Sequence, residues 1–82
     1  MLEELKNKKR RTVGLKQTTQ AIRAGMAEQV FLAEDVDDYI AKKVEEECSK
    51  HGLTINYVDT MKEIGEACGI NVGAATAAIL KE

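Results

Sequence analysis

The chain has 82 residues, of which 44% are hydrophobic and 32% are charged, and it contains two cysteines but no proline or tryptophan. This length fits one domain, residues 1–82, and the apolar fraction is too high for a disordered tail. Two cysteines cannot form the disulfide framework of a small secreted scaffold. Neither a run of about 20 apolar residues nor a signal-peptide core is found, so we expect a soluble cytoplasmic protein without a membrane partner.

The net charge of −2 conceals an uneven distribution along the chain. Residues 1–25 hold seven basic and two acidic side chains, a net charge of +5, whereas the remainder holds five basic and twelve acidic side chains, a net charge of −7. The seven basic residues are Lys6, Lys8, Lys9, Arg10, Arg11, Lys16 and Arg23. An asymmetry of this kind indicates an end that faces a polyanion on an otherwise acidic body.

The first predicted elements are short. Leu2 and Leu5 are spaced for one side of a brief helix, and Thr12-Val13 is compatible with a short strand. The segment Leu15–Ala24 predicts a helix, because apolar or threonine side chains recur on one face and Gly25 follows where helices commonly end. We therefore expect the first long helix to start beside the basic cluster.

A buried strand and an amphipathic helix come next. Gln29–Ala33 is a short, nearly continuous apolar run, as in a strand buried on both faces, and we place it centrally in a sheet. We predict that Asp35 caps the following helix, whose apolar stripe repeats at every fourth position until Gly52 ends it. The stripe consists of Val36, Ile40, Val44 and Cys48, with Tyr39 added.

Two further strands enclose a third helix. Leu53–Val58 alternates and is rich in β-branched or aromatic residues, which indicates a strand. Thr60 with Glu63 matches a capping box, and we expect the helix that it starts to end at Gly69. Propensity alone favours a helix over residues 74–80, yet we assign a last strand because its small residues suit a sheet closely covered by helices, and the resemblance described below also favours it. Alternating strands and helices predict an α/β protein, a single-domain three-layer α/β/α sandwich.

Side chains that often serve metal or catalytic chemistry are few and scattered. Cys48 and Cys68 fall on predicted apolar helix faces without a Cys-x-x-Cys pair, and His51 has no acid or nucleophile partner. The carboxylates at positions 34, 35, 37 and 38 fit a helix N-terminus better than a cation site, because unpaired N–H groups favour negative charge there. We expect no metal, no cofactor, no small-molecule substrate and no enzyme activity, and a nucleotide-using enzyme ranks last among the functions considered.

The segment that starts the first long helix has the features of an anion site. Gly14 precedes a helix N-terminus, where free N–H groups and the positive end of the helix dipole favour an anion. Lys16 adds a mobile cation, Gln17 can donate and accept at a base edge, and Thr18-Thr19 provides hydroxyl donors. The segment indicates phosphate or nucleic-acid binding, and the alternative is a polar helix start whose threonines satisfy local backbone groups.

The connection Ile70-Asn71-Val72 is unusual, because it holds two large aliphatic side chains where a loop is normally polar. Either both aliphatic side chains pack into the core, or they form an apolar pad for a base or for a partner surface. Gly65, Gly69 and Gly73 recur here at four-residue intervals, and we interpret them as a helix packing site, a C-cap and a turn.

Four segments in this order and spacing resemble the kink-turn RNA-binding ribosomal-protein family, which includes the archaeal large-subunit protein seven-Ae and its eukaryotic thirty-e relatives. The first segment, Gly14–Ile22, is similar to the family pattern Gly-x-Asn-Glu-x-Thr-Lys-Ala-Ile/Val. The others are Val30–Asp35, Tyr57-Val58, and Ile64–Gly69 followed by Ala74-Ala75. The resemblance covers nearly the whole chain and is strongest to small bacterial homologues of the YbxF type.

The resemblance implies a mixed four-stranded sheet between helices and recognition of the kink-turn, an RNA internal loop with tandem sheared G·A pairs and a sharp bend. By position, Gly14 would allow close backbone approach, and Lys16 and Gln17 would face the guanine edges. Thr18-Thr19 would support the helix entry, and residues 70–73 would pack against the bulge nucleotides. The charge pattern adds the basic residues upstream for phosphate attraction, and the predicted RNA-binding residues are Lys9, Arg10, Arg11, Gly14, Leu15, Lys16, Gln17, Thr18, Ile70, Asn71, Val72 and Gly73.

This sequence departs from the family pattern at three positions. Lys16-Gln17 replaces Asn-Glu, and Gln20 stands where the family has lysine. A carboxylate accepts from guanine N1 and N2 better than an amide does, whereas lysine prefers O6, N7 or phosphate, so the pattern of hydrogen bonds changes. The expected function is non-enzymatic recognition of structured kink-turn RNA, with ribosomal RNA as one candidate target. A protein-interaction module that uses loop 70–73 is the alternative, and salt should weaken it far less than RNA binding.

Overall fold

The four strands of the computed structural model, which describes residues 2–82, form one mixed sheet. The strands are β1 (Arg11–Val13), β2 (Ala27–Ala33), β3 (Ile55–Val58) and β4 (Thr76–Leu80). Their order across the sheet is β1-β4-β2-β3. β4 runs antiparallel to both β1 and β2, whereas β2 and β3 are parallel and joined by a helical crossover. The central position predicted for the apolar run of β2 is confirmed.

Three α-helices and two short 3-10 helices cover this sheet. The α-helices are α1 (Leu15–Arg23), α2 (Asp38–Lys50) and α3 (Met61–Cys68), and the 3-10 helices are Leu2–Lys6 and Lys8–Arg10. Within residues 2–82, no helix is both long and apolar enough to cross a membrane.

Alternation along β2 divides the core into two layers. Val30 and Leu32 pack with α1 and α2 on one face of the sheet, whereas Phe31 and Ala33 pack with α3 on the other. Successive strand residues point to opposite faces, so a fully buried strand supplies both layers. The predicted three-layer α/β/α sandwich and the mixed sheet implied by the resemblance are confirmed.

The strand directions bring the starts of all three α-helices to one end of the sheet. Because β4 is antiparallel to β1 and β2, and β3 is parallel to β2, the carboxyl ends of β1, β2 and β3 lie together with the start of β4. We call this margin the carboxyl end of the sheet. The three α-helices each begin there, since each follows one of those three strands.

The assignment of a strand at the alanine-rich C-terminus is confirmed. Ala77 and Ala78 are fully buried in the two opposite core layers, where β4 pairs with β1 and β2. Their small side chains allow helices to cover both faces closely, and two neighbouring strands supply hydrogen bonds that a helix here would lose. Tertiary context therefore overrides the helical propensity of alanine.

Three details predicted for α2 are wrong. Val36 was placed on the apolar stripe of this helix, but it precedes the N-cap residue and lies outside α2. Asp37, not Asp35, caps α2, because its Oδ1 accepts a hydrogen bond from the Ile40 N–H at 3.0 Å. Asp35 Oδ1 instead accepts from the Met61 N–H at 2.8 Å, so this carboxylate satisfies the start of α3. Tyr39 does not join the apolar stripe, since the residue is 67% exposed.

An ion pair ties α1 to α2. The Arg23 guanidinium donates to Glu47 Oε2 through Nε at 3.0 Å and through Nη2 at 2.8 Å. The Glu47 side chain is only 10% exposed, and Arg23 lowers the pKa of this carboxyl. These two bonds to one carboxylate oxygen fix the last turn of α1 against the last turn of α2.

We expect the unfolding free energy of the Glu47→Gln variant to fall less steeply with decreasing pH than that of the unsubstituted protein. A carboxyl with a lowered pKa in the folded state stabilises the fold above its unfolded pKa and loses this contribution as pH falls through the folded pKa. The unsubstituted protein should therefore lose unfolding free energy steeply below the ordinary glutamate pKa of 4.5, and the variant less steeply. Urea unfolding between pH 7 and pH 3 measures this slope, with Glu46→Gln on the exposed side of α2 as the control. Identical slopes for all three proteins would contradict it.

Candidate nucleic-acid interface

The start of α1 exposes backbone at the carboxyl end of the sheet. Gly14 is the N-cap residue with φ of 91°, a conformation that L side chains rarely adopt. Its N–H donates to the Thr76 carbonyl at 2.8 Å, which joins this turn to the beginning of β4. No atom lies within 4 Å of where a Cβ would stand, so the space above Gly14 is open to an approaching ligand.

The N-terminus of α1 differs in charge from the other two helix starts at this end. Asp37 caps α2, while Thr60 and Asp35 together satisfy the start of α3. α1 has no side-chain cap and no acidic residue in its first turn. Backbone N–H groups and the positive end of the dipole therefore meet solvent without a compensating carboxylate, which favours a bound anion.

Lys16 and Gln17 are both exposed on the first turn of α1. Gln17 Oε1 accepts a hydrogen bond from the Val13 N–H at 3.1 Å, so the amide also closes the turn from β1 into the helix. This bond uses one of the two acceptor positions of Oε1, and the amide nitrogen of Gln17 stays available as a donor. Lys16 can only donate, so the two side chains together offer donors to a ligand with acceptor atoms.

Thr18 and Thr19 hold the helix from beneath rather than facing outward. Thr18 is fully buried, and its hydroxyl lies 2.8 Å from the hydroxyl of Thr12 in β1. Thr12 Oγ1 also accepts from the Ala78 N–H at 3.0 Å, so the chain of bonds runs from α1 through β1 to β4. Thr19 donates to the Leu15 carbonyl at 2.8 Å. Thr18, which stood among the implied RNA-binding residues, positions the helix without reaching the surface.

The loop between α3 and β4 lies back along α3. The Ile70 N–H donates to the Gly65 carbonyl at 3.1 Å, and the Ala74 N–H donates to the Met61 carbonyl at 3.0 Å. Gly65 permits this path, because a Cβ there would stand 2.0 Å from the Val72 carbonyl oxygen. The loop is therefore held rigidly, and its end meets the Gly14 turn through Thr76.

The two aliphatic side chains of this loop have different surroundings. Ile70 packs against the core layer beneath α3, whereas Val72 is 69% exposed. A groove of about 300 Å³ separates the loop from Lys62 and Glu66 on the outer side of α3. The sequence left two alternatives for these side chains, packing into the core or an apolar pad at the surface. Ile70 follows the first and Val72 the second.

The basic segment that leads into β1, Lys9 to Arg11, is not part of this arrangement. Lys9 is exposed, but Arg10 Nη2 donates to the Leu80 carbonyl at 2.7 Å near the opposite end of the sheet. Arg11 Nη1 donates to the carbonyls of Leu5 and Cys68, each at 2.7 Å. Arg11 begins β1 and Gly14 follows its last residue, so both arginines lie toward the opposite end of that strand, and their guanidinium groups are engaged within the fold.

The cysteines and the histidine have structural surroundings. Cys48 and Cys68 are buried, and burial raises the pKa of both thiols. The Nδ1 atom of His51 lies 3.0 Å from the Glu47 carbonyl at the end of α2. Residues 2–82 include no group of three or more histidine, cysteine, aspartate or glutamate side chains that could hold a metal ion.

Two contacts were not predicted from the sequence: the hydrogen bonds of Arg11 to the Leu5 and Cys68 carbonyls, and the hydrogen bond of Asp35 to the start of α3. Neither contact has a local signal, because Arg11 and Cys68 are 57 positions apart and Asp35 and Met61 are 26 positions apart. The close approach of Gly65 to the loop did have a signal, since the glycine spacing was interpreted as a packing site. Only the identity of its neighbour, the Val72 carbonyl, required the structure.

The chain matches proteins of known family over its whole length. A family model described as the ribosomal protein L7Ae/L30e/S12e/Gadd45 family covers residues 1–82. A Caldanaerobacter subterraneus protein named RNA-binding protein TTE2299 is 49% identical over 69 residues, 84% of each chain. The Geobacillus stearothermophilus RNA-binding protein YbxF is 44% identical over 69 residues, also 84% of each chain. The large ribosomal subunit protein eL8 of Haloquadratum walsbyi is 44% identical over 68 residues, 82% of this chain and 57% of that protein.

Solved structures show the same fold. A Giardia lamblia 15.5kD RNA binding protein superposes with a TM-score of 0.83 over 99% of this chain and 71% of its own, at 23% identity. A Bacillus halodurans protein of unknown function superposes with a TM-score of 0.85 over 98% of this chain and 83% of its own, at 19% identity.

Proposed function

The chain belongs to the ribosomal protein L7Ae/L30e/S12e/Gadd45 family, and on that premise we propose that it binds structured RNA by recognising a kink-turn. Relatives 44–49% identical to it are named RNA-binding proteins, and a further relative is a large ribosomal subunit protein. The chain is a binding protein rather than an enzyme, as the family and its relatives are.

The uncapped start of α1 beside the α3–β4 loop is the observation that supports this proposal. The helix start offers backbone N–H groups, Lys16 and the Gln17 amide as donors, and no carboxylate repels phosphate there. The end of the loop joins the same surface through the Gly14–Thr76 hydrogen bond and exposes Val72 for contact with an unstacked base. Hydrogen-bond donors beside an exposed aliphatic side chain on a fixed loop suit a bent RNA better than a regular RNA double helix.

The residues proposed to contact RNA are fewer than the sequence implied. Lys16 and Gln17 are exposed next to the open backbone of Gly14, Asn71, Val72 and Gly73 are exposed in the loop, and Leu15 is half-buried at the helix start. Lys9 is exposed near the opposite end of the sheet, where it can add long-range attraction to phosphate. We assign positioning roles to Arg10, Arg11, Thr18 and Ile70, because their polar or apolar groups are engaged within the fold.

A gel-shift comparison tests the proposal. One RNA contains a kink-turn, and its partner has the sheared G·A pairs replaced by Watson–Crick pairs. We expect the kink-turn RNA to bind more tightly, with an affinity that falls steeply as salt rises because counterions are released. Equal affinity for both RNAs would reject recognition of the kink-turn, and an affinity unaffected by salt would favour an apolar protein interface instead.

We expect Lys16→Ala to weaken kink-turn RNA binding by roughly 1–3 kcal/mol while leaving the melting curve nearly unchanged, because the side chain is exposed. Titrations of labelled RNA at one salt concentration, together with thermal melts, measure both quantities. Lys50→Ala removes an equal charge from the last turn of α2, which lies away from the carboxyl end of the sheet. An equal loss of affinity in the two variants would mean that Lys16 acts only through net charge.

A further inference from the structure

The outer edge of β3 is a free sheet margin outside the proposed RNA surface. β3 is the last strand in the sheet order, and no strand formed by residues 2–82 pairs with its outer side. An unpaired edge presents a row of N–H and C=O groups to which another extended chain can add. The edge lies three strands from β1, about 14 Å across the sheet.

Open grooves flank this edge on both faces of the sheet. The groove beside α2 has a volume of about 420 Å³ and the groove on the opposite face about 470 Å³. Tyr57 borders both, and the residue is 53% exposed. The apolar lining of the first groove comprises Leu32, Ala33, Val36 and Ala41. The apolar side chains that the α3 face contributes to the second groove are Leu2, Phe31 and Val58, whereas Ile55, which also borders it, packs in the layer beneath α2.

The two grooves differ in charge. Glu34, Asp38 and Glu45 all line the groove beside α2, and no basic side chain lines it. The Tyr57 hydroxyl donates to Glu45 Oε2 at 2.8 Å, which holds this carboxylate at the groove. The second groove has no charged side chain in its lining. Three carboxylates repel phosphate, so this surface suits a cationic protein segment and not RNA.

We propose that the outer edge of β3 binds an extended segment of another protein, with lysine or arginine at alternate positions and aliphatic residues between them. Successive side chains of an added strand point to opposite faces. The cationic side chains then enter the carboxylate groove beside α2, and the aliphatic ones enter the apolar groove on the other face. Backbone hydrogen bonds along β3 supply the pairing. This interaction does not depend on RNA binding.

The test uses two synthetic peptides of equal composition, one with lysine and valine alternating and one with all lysines before all valines. We expect the alternating peptide to bind about tenfold more tightly by calorimetry, because only it can place each residue type in its own groove. Amide hydrogen exchange should slow at β3 in the complex with the alternating peptide. Equal affinity for the two peptides, or protection elsewhere than at β3, would overturn the proposal.

Two pairs of variants distinguish the effect of the groove carboxylates from the effect of net charge. Glu34→Gln combined with Glu45→Gln should weaken the alternating peptide by about tenfold, whereas Glu46→Gln combined with Glu66→Gln, which removes equal charge outside the groove, should have little effect. An equal effect of the two pairs would overturn the proposal. Two further results would assign the edge to another occupant: self-association of the free protein with protected β3 amides indicates a second copy, and protection of the β3 amides by RNA in the absence of peptide indicates RNA.

Discussion

Gly65→Ala is expected to destabilise the protein by about 3 kcal/mol and to weaken RNA binding by about tenfold or more. A methyl group at position 65 would stand 2.0 Å from the Val72 carbonyl oxygen and 3.0 Å from its carbonyl carbon, so the loop must move away from α3. That movement displaces Val72, which we place against RNA, and strains the link to Gly14. The gain in helix propensity from alanine, about 1 kcal/mol, cannot offset a backbone clash of this size.

Gly73→Ala is the matched comparison for this loop. A Cβ at position 73 would lie 3.1 Å from the Cβ of Met61 and 3.3 Å from its carbonyl carbon, so the loop and the start of α3 need to separate by only a few tenths of an ångström. We expect this change to cost less than about 1 kcal/mol of stability. Chemical denaturation and RNA titration of both variants measure the difference. Equal stability of the two variants would show that the loop is not held against Gly65 in solution.

Arg11→Ala is expected to cost about 3 kcal/mol of unfolding free energy. The guanidinium donates to the Leu5 carbonyl in the first 3-10 helix and to the Cys68 carbonyl at the end of α3, and both bonds are 2.7 Å long. Removing it leaves two partly buried acceptors without their charged donor. The contacts between the N-terminal segment and α3 should therefore loosen before the rest of the sheet unfolds.

The comparison with Lys9→Ala distinguishes a structural arginine from an RNA contact. Lys9 is exposed, so its removal should leave the melting temperature unchanged and reduce only the salt-dependent part of RNA binding. Arg11→Ala should lower the melting temperature, as followed by circular dichroism. A stable Arg11→Ala protein with greatly weakened RNA binding would return Arg11 to the RNA surface, where the charge pattern of the sequence placed it.

The sequence predicted most of the elements because their signals are local. Gly14 and Gly69 mark a helix start and a helix end, and the capping pair Thr60 and Glu63 lies within four residues. The stripe from Val44 to Cys48 repeats with the helical period and is buried. The last strand was less evident, because alanines favour a helix until two neighbouring strands pair with them.

The candidate site was predicted in part. The exposed donors of α1 follow directly from a glycine-started helix, so Lys16 and Gln17 were identified from the sequence. Gln17 Oε1 accepts from the Val13 N–H, and this contact, which orients the side chain at the helix start, appears only in the structure. The loop residues were identified as a pair, but packing against the core separates Ile70 from the exposed Val72.

By itself, the sequence determined the class of fold, the helix starting at Gly14 and the family to which the chain belongs, because these depend on short-range periodicity and on ordered motifs. The tertiary structure alone decided that Arg11 bonds to Cys68, that Asp35 satisfies α3, and that an acidic groove borders the free edge of β3. Such contacts join residues far apart in the chain, and the strand order that brings them together is set by burial on both faces of the sheet rather than by any local pattern.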